Sequence, residues 1–108
     1  MGKSKRFQSH FRKSYSGKFT GHPQYIYGEE GKNYKTVGLT TSPVTNGVKN
    51  IKLDKNPEPG NNKTSYIRPK PDKASKGSFK ERLKGWAFSK SDKQKVNGVI
   101  AGEKDKKK

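Results

Sequence analysis

The chain is 108 residues long, and 25% of its residues are hydrophobic against 32% charged, so it has room for one small domain with a small core. The 26 Lys and Arg residues against 9 Asp and Glu give a formal charge of +17, which predicts RNA, or alternatively DNA, as a polyanionic partner. The chain has no cysteine, no apolar run of ~20 residues and no apolar stretch after Met1–Arg6, so we expect a cytoplasmic protein without disulfides, metal, cofactor or membrane partner.

Residues 1–21 form a basic segment rich in serine and glycine. Within it Phe7, Phe11 and Tyr15 recur every four residues, a spacing that places three rings on one face of a helix. Two interpretations stay open for this segment. It is either a frayed tail, or an arm that orders on a nucleic acid, with its rings on bases and cations such as Arg12 on phosphates.

From His22 onward the sequence favours β-structure. Tyr25–Tyr27 and Tyr34–Leu39 are rich in strand-forming residues, and Gly28–Gly31 between them supplies a turn, which together predict a hairpin. Two more short strands are predicted at Val48–Leu53 and Ser65–Arg68, the first after an Asn46-Gly47 turn and the second after an exposed loop at 56–62.

The last third of the chain favours helices. Ser78–Glu81 matches a capping box, which predicts a short helix through Leu83. Ser89 and Asp92 mark a second helix start, followed by apolar residues on one face at Val96, Val99 and Ile100.

These elements predict an α+β fold that is mainly β. We expect a small, bent, partly open barrel with one or two C-terminal helices. The predicted organisation is a basic flexible arm at 1–21, a β-rich domain with its helical segment at 22–101, and a Lys-rich tail at 102–108.

Three short motifs resemble the bacterial MazF/PemK-type toxins and their ToxN-like relatives over residues 20–72. The motifs are His22-Pro23 at a strand start, Leu39–Ser42 at a strand end, and Ser65–Arg68. The resemblance implies an SH3-like barrel and a sequence-selective, metal-independent endoribonuclease of a toxin–antitoxin or mobile-element system. It also implies an antitoxin, RNA or protein, and a homodimer.

The resemblance assigns roles to individual residues. Thr41 and Ser42 match the family's strand-end pair, where a hydroxyl and an amide would hold the scissile phosphate. Arg68 matches a position that is more often structural than catalytic. The family usually has an arginine before the first proline, where this chain has His22; a histidine suits the same proton transfer because its ordinary pKa is near 6.5.

The chemistry of RNA cleavage makes similar demands without the resemblance. Attack by the 2′-hydroxyl needs a base, a cation to stabilise the phosphorane, and an acid for the leaving 5′-oxygen. The candidates to share these roles are His22, Arg68 and one of Lys35, Lys49 or Lys52.

Each of these candidates also has a structural interpretation. His22 could simply bond the backbone at a strand start. Thr40–Ser42 could be a strand that ends in a turn. Arg68 could pair with a carboxylate rather than with a phosphate.

Two other functional classes remain open. A noncatalytic nucleic-acid-binding module, associated with ribosomes or a mobile element, needs only the positive charge and stacking rings, for which the candidates are Tyr25, Tyr27, Tyr34 and Tyr66. A phage or plasmid protein that binds an acidic host protein needs only the basic surface.

Overall fold

A computed structural model of the chain describes residues 7–14 and 22–106, without the side chains of 103–106. The predicted α+β, mainly β fold class is confirmed, with one C-terminal helix. The described elements are β1 (His10–Ser14), β2 (Pro23–Glu30), β3 (Asn33–Thr40), β4 (Val44–Thr45), β5 (Val48–Lys49), β6 (Ile51–Lys52), β7 (Tyr66–Ile67), β8 (Asp72–Ser75), β9 (Phe79–Arg82) and α1 (Lys90–Lys106). The rest of the predicted arm, at 1–6 and 15–21 with Tyr15, and residues 107–108 of the predicted tail lie outside the described residues.

The predicted hairpin is the centre of the fold. Strands β2 and β3 pair antiparallel along their length, and the turn falls at Gly31, whose φ of 59° suits glycine, rather than across 28–31. The register shifts between Ile26 and Gly28, so β2 contains a bulge. The Asn46-Gly47 turn is also confirmed, since both residues have positive φ between β4 and β5.

A seven-stranded sheet is built around this hairpin, in the order β6-β7-β3-β2-β1-β9, and β8 also pairs with β3. Strands β7 and β8 use the same edge of β3 because they are successive parts of one extended segment, interrupted at Pro69 and Pro71. The Arg68 N–H donates to the Gly38 carbonyl at 2.9 Å, which keeps the segment against β3 across the interruption.

The sheet curls strongly without closing. Only the three residues Lys76–Ser78 separate β8, on one edge, from β9, on the other. The Tyr34 ring on β3 lies 5.4 Å from the Phe79 ring on β9, three strands away in the sheet, so the two edges approach each other. The sheet is therefore an open, curved one, with a concave face that carries Tyr34 and a second face that carries the core.

The short helix predicted from Ser78 through Leu83 is wrong. Residues Phe79–Arg82 form β9, which pairs with β1, and the Leu83 N–H donates to the Phe11 carbonyl at 2.7 Å. Ser75, rather than Ser78, accepts a hydrogen bond at the start of a single 3₁₀ turn. Pairing with β1 satisfies backbone groups that one isolated helical turn would leave open, so tertiary structure overrides the local capping pattern.

The structure also differs from the predicted boundary at residue 22. His10–Ser14, expected in the flexible arm, form β1 between β2 and β9. Phe11 is only 3% exposed and its ring contacts those of Tyr25, Trp86 and Phe88 at 5.0–5.7 Å. The rings of Phe7 and Phe11 do not share a face as the four-residue spacing predicted, because Phe7 contacts Tyr34 in the concave face whereas Phe11 lies in the core.

Helix α1 covers the core face of the sheet. Val96 and Val99 are buried and Ile100 packs beside them, as predicted. The predicted start of the helix is confirmed, because the Asp92 N–H donates to the Ser89 hydroxyl. The Asp92 carboxylate is fully buried and accepts N–H bonds from Asp54 and Lys55 at 2.7 and 2.9 Å, which ties the loop after β6 to the helix. In the part of the chain that is described, no helix has the length and apolar character needed to cross a membrane.

Candidate nucleic-acid interface

The strand register places a polar group of residues on the face of the sheet opposite to the core. Gln24 of β2 lies directly across from Gly38 of β3, and residues in register share a face. His22 precedes Gln24 by two residues and Thr40 follows Gly38 by two, so strand alternation puts them on that face as well.

These residues line a cavity of about 180 Å³, here called the Arg68 pocket. Its described lining comprises His22, Gln24, Gly38, Leu39, Thr40, Thr45, Asn46 and Arg68. Two of the predicted catalytic residues, His22 and Arg68, therefore meet at one concave site although 46 positions separate them in the sequence. The adjacent strands β2 and β3 and the segment after β7 bring them together.

Arg68 is held in place by Asn50. The Asn50 Oδ1 accepts a hydrogen bond from Arg68 Nη1 at 2.5 Å, and its Nδ2 donates to the Ser42 carbonyl and the Thr45 hydroxyl, each at 2.9 Å. These two acceptors fix which way the amide points. Arg68 is half-buried, and no carboxylate among the described residues forms an ion pair with it. Most of its N–H donors are thus available to an anion.

Gly38 leaves the space that Arg68 and Gln24 occupy. A Cβ at Gly38 would lie 3.2 Å from Arg68 Cγ, and 3.3 and 3.4 Å from Gln24 Nε2 and Oε1. The separations from Arg68 Cγ and Gln24 Nε2 are tighter than ordinary van der Waals contacts, so any side chain here would move both neighbours. The glycine therefore sets the floor of the pocket.

Gln24 is a buried polar group with an unused acceptor. The residue is 2% exposed, and its Oε1 has no hydrogen-bond partner among the described residues. Buried polar atoms of this kind are uncommon in folded proteins and need an explanation.

Thr41 and Ser42 lie outside the described lining of the pocket, and both are exposed. Thr40 lies at the pocket in their place. The Ser42 N–H donates to the Thr40 hydroxyl at 3.2 Å, and the Ser42 carbonyl accepts from Asn50. Thr41 and Ser42 thus follow the end of β3. The backbone carbonyl of Ser42 takes part in the network that holds Arg68.

Tyr66 and Lys52 flank the pocket. Tyr66 of β7 lies in register with Thr40 on one side and with Lys52 of β6 on the other, so the three share a face. Tyr66 is half-buried and makes no ring or cation contact with another described residue, and Lys52 is exposed. A stacking ring and a cation are therefore both accessible beside the pocket.

The other two predicted lysines lie away from the pocket lining. Lys49 is exposed on β5, whose hairpin with β4 contributes Thr45 and Asn46 to the pocket. Lys35 sits near the opposite end of β3, where its side chain passes Gly28. Neither lysine belongs to the described lining of the Arg68 pocket.

The remaining predicted binding residues have structural contacts. Tyr25 is buried in the core against Phe11 and Phe88, and Tyr27 packs against the same core, so the Tyr25 ring is closed to a base. Tyr34 lies in the concave face among the rings of Phe7, His10 and Phe79, with two cations over it, Arg12 and Lys76.

His10 was not predicted to matter and it organises this second cluster. Its Nε2 accepts a hydrogen bond from Arg12 Nε at 2.9 Å and its Nδ1 lies 2.9 Å from the Gln8 carbonyl, which assigns the neutral tautomer with hydrogen on Nδ1. Burial lowers the pKa of His10, and the charges of Arg82 and Arg12 lower it further, against the effect of the bond to Gln8. Arg12 also donates to the Lys80 carbonyl, so it connects β1 to β9.

The sequence contained partial signals for the residues that were missed. Alternation in β2 and β3 places Gln24 with His22 and Gly38 with Thr40, so both follow once the strand register is known. Asn50 had no such signal, because its role depends on a contact with Arg68 across 18 positions.

Comparisons with known proteins identify no relative: no family model, no curated protein and no solved structure matches the chain.

Proposed function

We propose that this protein binds RNA at the Arg68 pocket and cleaves it as a metal-independent endoribonuclease of the toxin type. The observation that carries the proposal is that an imidazole, His22, and a guanidinium, Arg68, line the same small cavity, and that Arg68 has no carboxylate partner among the described residues. Arginine presents a planar fork of donors that matches a phosphate, and preorganised donors are the largest catalytic term in such reactions. The +17 charge supplies long-range attraction to the RNA backbone.

The proposed reaction uses these two side chains around one phosphodiester. Arg68 binds the non-bridging oxygens and stabilises the charge that builds on them. His22 removes the proton of the 2′-hydroxyl, whose oxygen forms a new bond to phosphorus while the bond to the 5′-oxygen breaks. The departing 5′-oxygen takes a proton from the His22 imidazolium or from water. The products are a 2′,3′-cyclic phosphate and a free 5′-hydroxyl.

The surroundings of the pocket support an RNA strand as the ligand. Tyr66 offers a face for stacking a base, and Lys52 lies beside it for a neighbouring phosphate. Each stacked base contributes roughly 1–3 kcal/mol in single-strand recognition. A strand whose phosphate sits on Arg68 can thus place an adjacent nucleotide over Tyr66.

Digestion of a labelled single-stranded RNA, with and without EDTA, tests the proposal. We expect cleavage that EDTA does not affect and products that end in a cyclic phosphate. The variant His22→Ala should abolish cleavage and leave RNA affinity nearly unchanged, because proton transfer is lost while the cationic surface stays. Thr41→Ala is the matched control, since Thr41 is exposed and outside the pocket lining. Equal loss of binding and cleavage in His22→Ala would show that His22 is structural.

A noncatalytic RNA-binding module is the second candidate, and the accessible Tyr66 and Lys52 pair favours it, because these residues bind without chemistry. Salt-dependent RNA binding with no products would identify this function, since each phosphate contact contributes about 0.7 to the slope of log affinity against log salt for single strands. Retention of an acidic host protein with no RNA binding would support the third class, a phage or plasmid interaction protein.

The toxin proposal also makes claims about cellular context. We propose that the protein acts in the cytoplasm. A protein that cleaves RNA in its own cell needs an inhibitor, for which we propose an antitoxin RNA or protein. We also propose a homodimer, by analogy with the toxins. Growth arrest on expression in a bacterial host, relieved by His22→Ala, would support this context. Harmless expression of a chain that cleaves RNA in vitro would contradict it.

A further inference from the structure

We propose that a second cavity, here called the Trp86 pocket, binds one nucleotide of single-stranded RNA, with its base stacked on Trp86 and its phosphate held by Lys90 and Lys93. The cavity holds about 440 Å³, and its described lining comes from residues 9–11, Tyr25, residues 86–88 and the start of α1. The choice of RNA as the source of the nucleotide rests on the proposed function, and the pocket adds a contact that the proposed reaction does not use.

Aromatic rings line one side of the Trp86 pocket. Phe11 and Tyr25 are only 3% and 4% exposed, so the ring surface within reach of a ligand belongs to Trp86 and Phe88, which are both half-buried. Phe88 packs against both buried rings, at 5.0 and 4.8 Å, whereas Trp86 contacts only Phe11 among the described rings, at 5.7 Å. Trp86 is therefore less enclosed by other rings than Phe88, and unpaired bases stack on aromatic faces of this kind.

Two lysines at the start of α1 supply positive charge for a phosphate. Lys90 and Lys93 are exposed, line the cavity and form no ion pair with a described residue. The Lys93 Nζ lies 5.5 Å from the centre of the Tyr25 ring, which places the ammonium group beside the aromatic side of the cavity. Lys95, by contrast, pairs with two aspartates. Because the described lining contains no acidic residue, the charge of Lys90 and Lys93 is available to an anion.

This combination of rings and cations fits a nucleotide better than other ligands. An apolar ligand would leave the lysines unused, and an acidic peptide would use the lysines without needing a flat aromatic surface. A nucleotide carries a flat aromatic base next to an anionic phosphate, so it uses both. The volume of about 440 Å³ lies within the roughly 300–1,000 Å³ of sites for small organic ligands. Gln94, exposed at the same cavity, offers an amide to the edge of a base.

The Trp86 pocket is separate from the Arg68 pocket. The two described linings share no residue. Tyr25 lines one and Gln24 lines the other, and because neighbouring residues of a strand point to opposite faces, the cavities lie on opposite sides of the sheet. An RNA strand that occupies both must pass around the sheet, so binding at each cavity can be measured separately.

Fluorescence of Trp86 tests the proposal directly, because Trp86 is the single tryptophan of the chain. The probes are adenosine monophosphate, which has base and phosphate, adenosine, which has the base alone, and ribose 5-phosphate, which has the phosphate alone. We expect saturable quenching by adenosine monophosphate, and quenching by adenosine with roughly 2- to 30-fold lower affinity, the range for losing two exposed ion pairs. Ribose 5-phosphate at the same concentration should neither quench nor displace the nucleotide. Absence of quenching by adenosine monophosphate would overturn the proposal.

The double variant Lys90→Gln with Lys93→Gln removes the two charges and leaves the rings in place. Adenosine monophosphate should then bind as weakly as adenosine, and adenosine binding should not change. The matched control is Lys49→Gln with Lys70→Gln, which removes two exposed charges outside the described lining and should leave both affinities unchanged. An equal loss of nucleotide affinity in the two double variants would show a general effect of charge and contradict a site at Lys90 and Lys93.

A short adenosine RNA strand connects the pocket to RNA. Measured in a protein that carries His22→Ala, so that the strand stays intact, it should quench Trp86 at least as tightly as the mononucleotide, because neighbouring phosphates add contacts. Quenching by the mononucleotide but not by the strand would overturn the assignment to RNA, and tighter displacement of the nucleotide by a glutamate-rich peptide than by RNA would identify a peptide site instead. RNA cleavage without quenching would overturn this inference alone. Quenching by the strand in a wild-type chain that does not cut RNA would overturn the endoribonuclease proposal alone.

Discussion

Replacing Gly38 by alanine is a direct test of the Arg68 pocket, because it adds one methyl group at its floor. The new Cβ would lie 3.2 Å from Arg68 Cγ and 3.3 Å from Gln24 Nε2, so both side chains must shift. Overpacking of this kind costs about 1–3 kcal/mol, and replacing glycine by alanine inside a strand returns roughly 0.5–1 kcal/mol. We therefore expect a net loss of stability of about 0.5–2 kcal/mol.

Gly38→Ala should also weaken RNA binding. A hydrogen bond to a charged group contributes about 1.5–3 kcal/mol, and displacing Arg68 by a few tenths of an ångström should lose around half of it, which lowers RNA affinity roughly 3- to 13-fold. Fluorescence anisotropy on labelled RNA and urea unfolding measure the two quantities. Gly28→Ala is the control, because its Cβ would meet Lys35 at an ordinary 3.4 Å. Unchanged RNA binding by a folded Gly38→Ala protein would refute the assignment of this pocket.

Three further predictions concern the fold. Phe11→Ala should lower the unfolding free energy by about 3–5 kcal/mol in urea titrations, because the ring is buried in the core. A change below about 1 kcal/mol, as expected for a surface residue, would mean that the fold does not need β1. Asp92→Ala should cost about 3–5 kcal/mol by the same measurement, since two backbone N–H donors lose a buried carboxylate, and Asp92→Asn should cost less. The pKa of His10 is lowered in the folded protein, so the unfolded chain binds the proton more readily and stability should fall as the pH drops below 6.5. Melting temperatures measured between pH 7.5 and 5 should show this fall in the wild type and a smaller fall in His10→Gln.

The central hairpin and the helix could be predicted because their signals are local. Aromatic and β-branched residues on both sides of a glycine-rich turn specify β2 and β3 without help from distant contacts. The start of α1 follows from a serine cap and an acidic residue three positions later. His22 and Arg68 could be named as candidates on other grounds, because the resemblance singles them out and RNA cleavage needs a base and a cation.

The β1–β9 side of the sheet could not be predicted because the pairing of these two strands is non-local. Strand β9 carries a capping pattern and β1 lies in a basic, glycine-bounded segment, so local propensity points away from the observed structure at both. Strand β9 forms by pairing with β1, and β1 forms by pairing with both β9 and β2. The same limit applies to the contact of Asn50 with Arg68, which connects parts of the chain that no short motif joins.

Gln24 and Gly38 are a pair that stability alone does not explain. They lie opposite each other in the two central strands, where an unsatisfied buried acceptor costs about 1–3 kcal/mol and a glycine roughly 0.5–1 kcal/mol. Both costs fall on a domain with few hydrophobic residues to offset them. Removing an acceptor that has no partner among the described residues should therefore stabilise the protein, so we expect Gln24→Met to raise the melting temperature. A lower melting temperature would show that the amide is structural, and thermal unfolding of the two proteins without RNA decides between these outcomes.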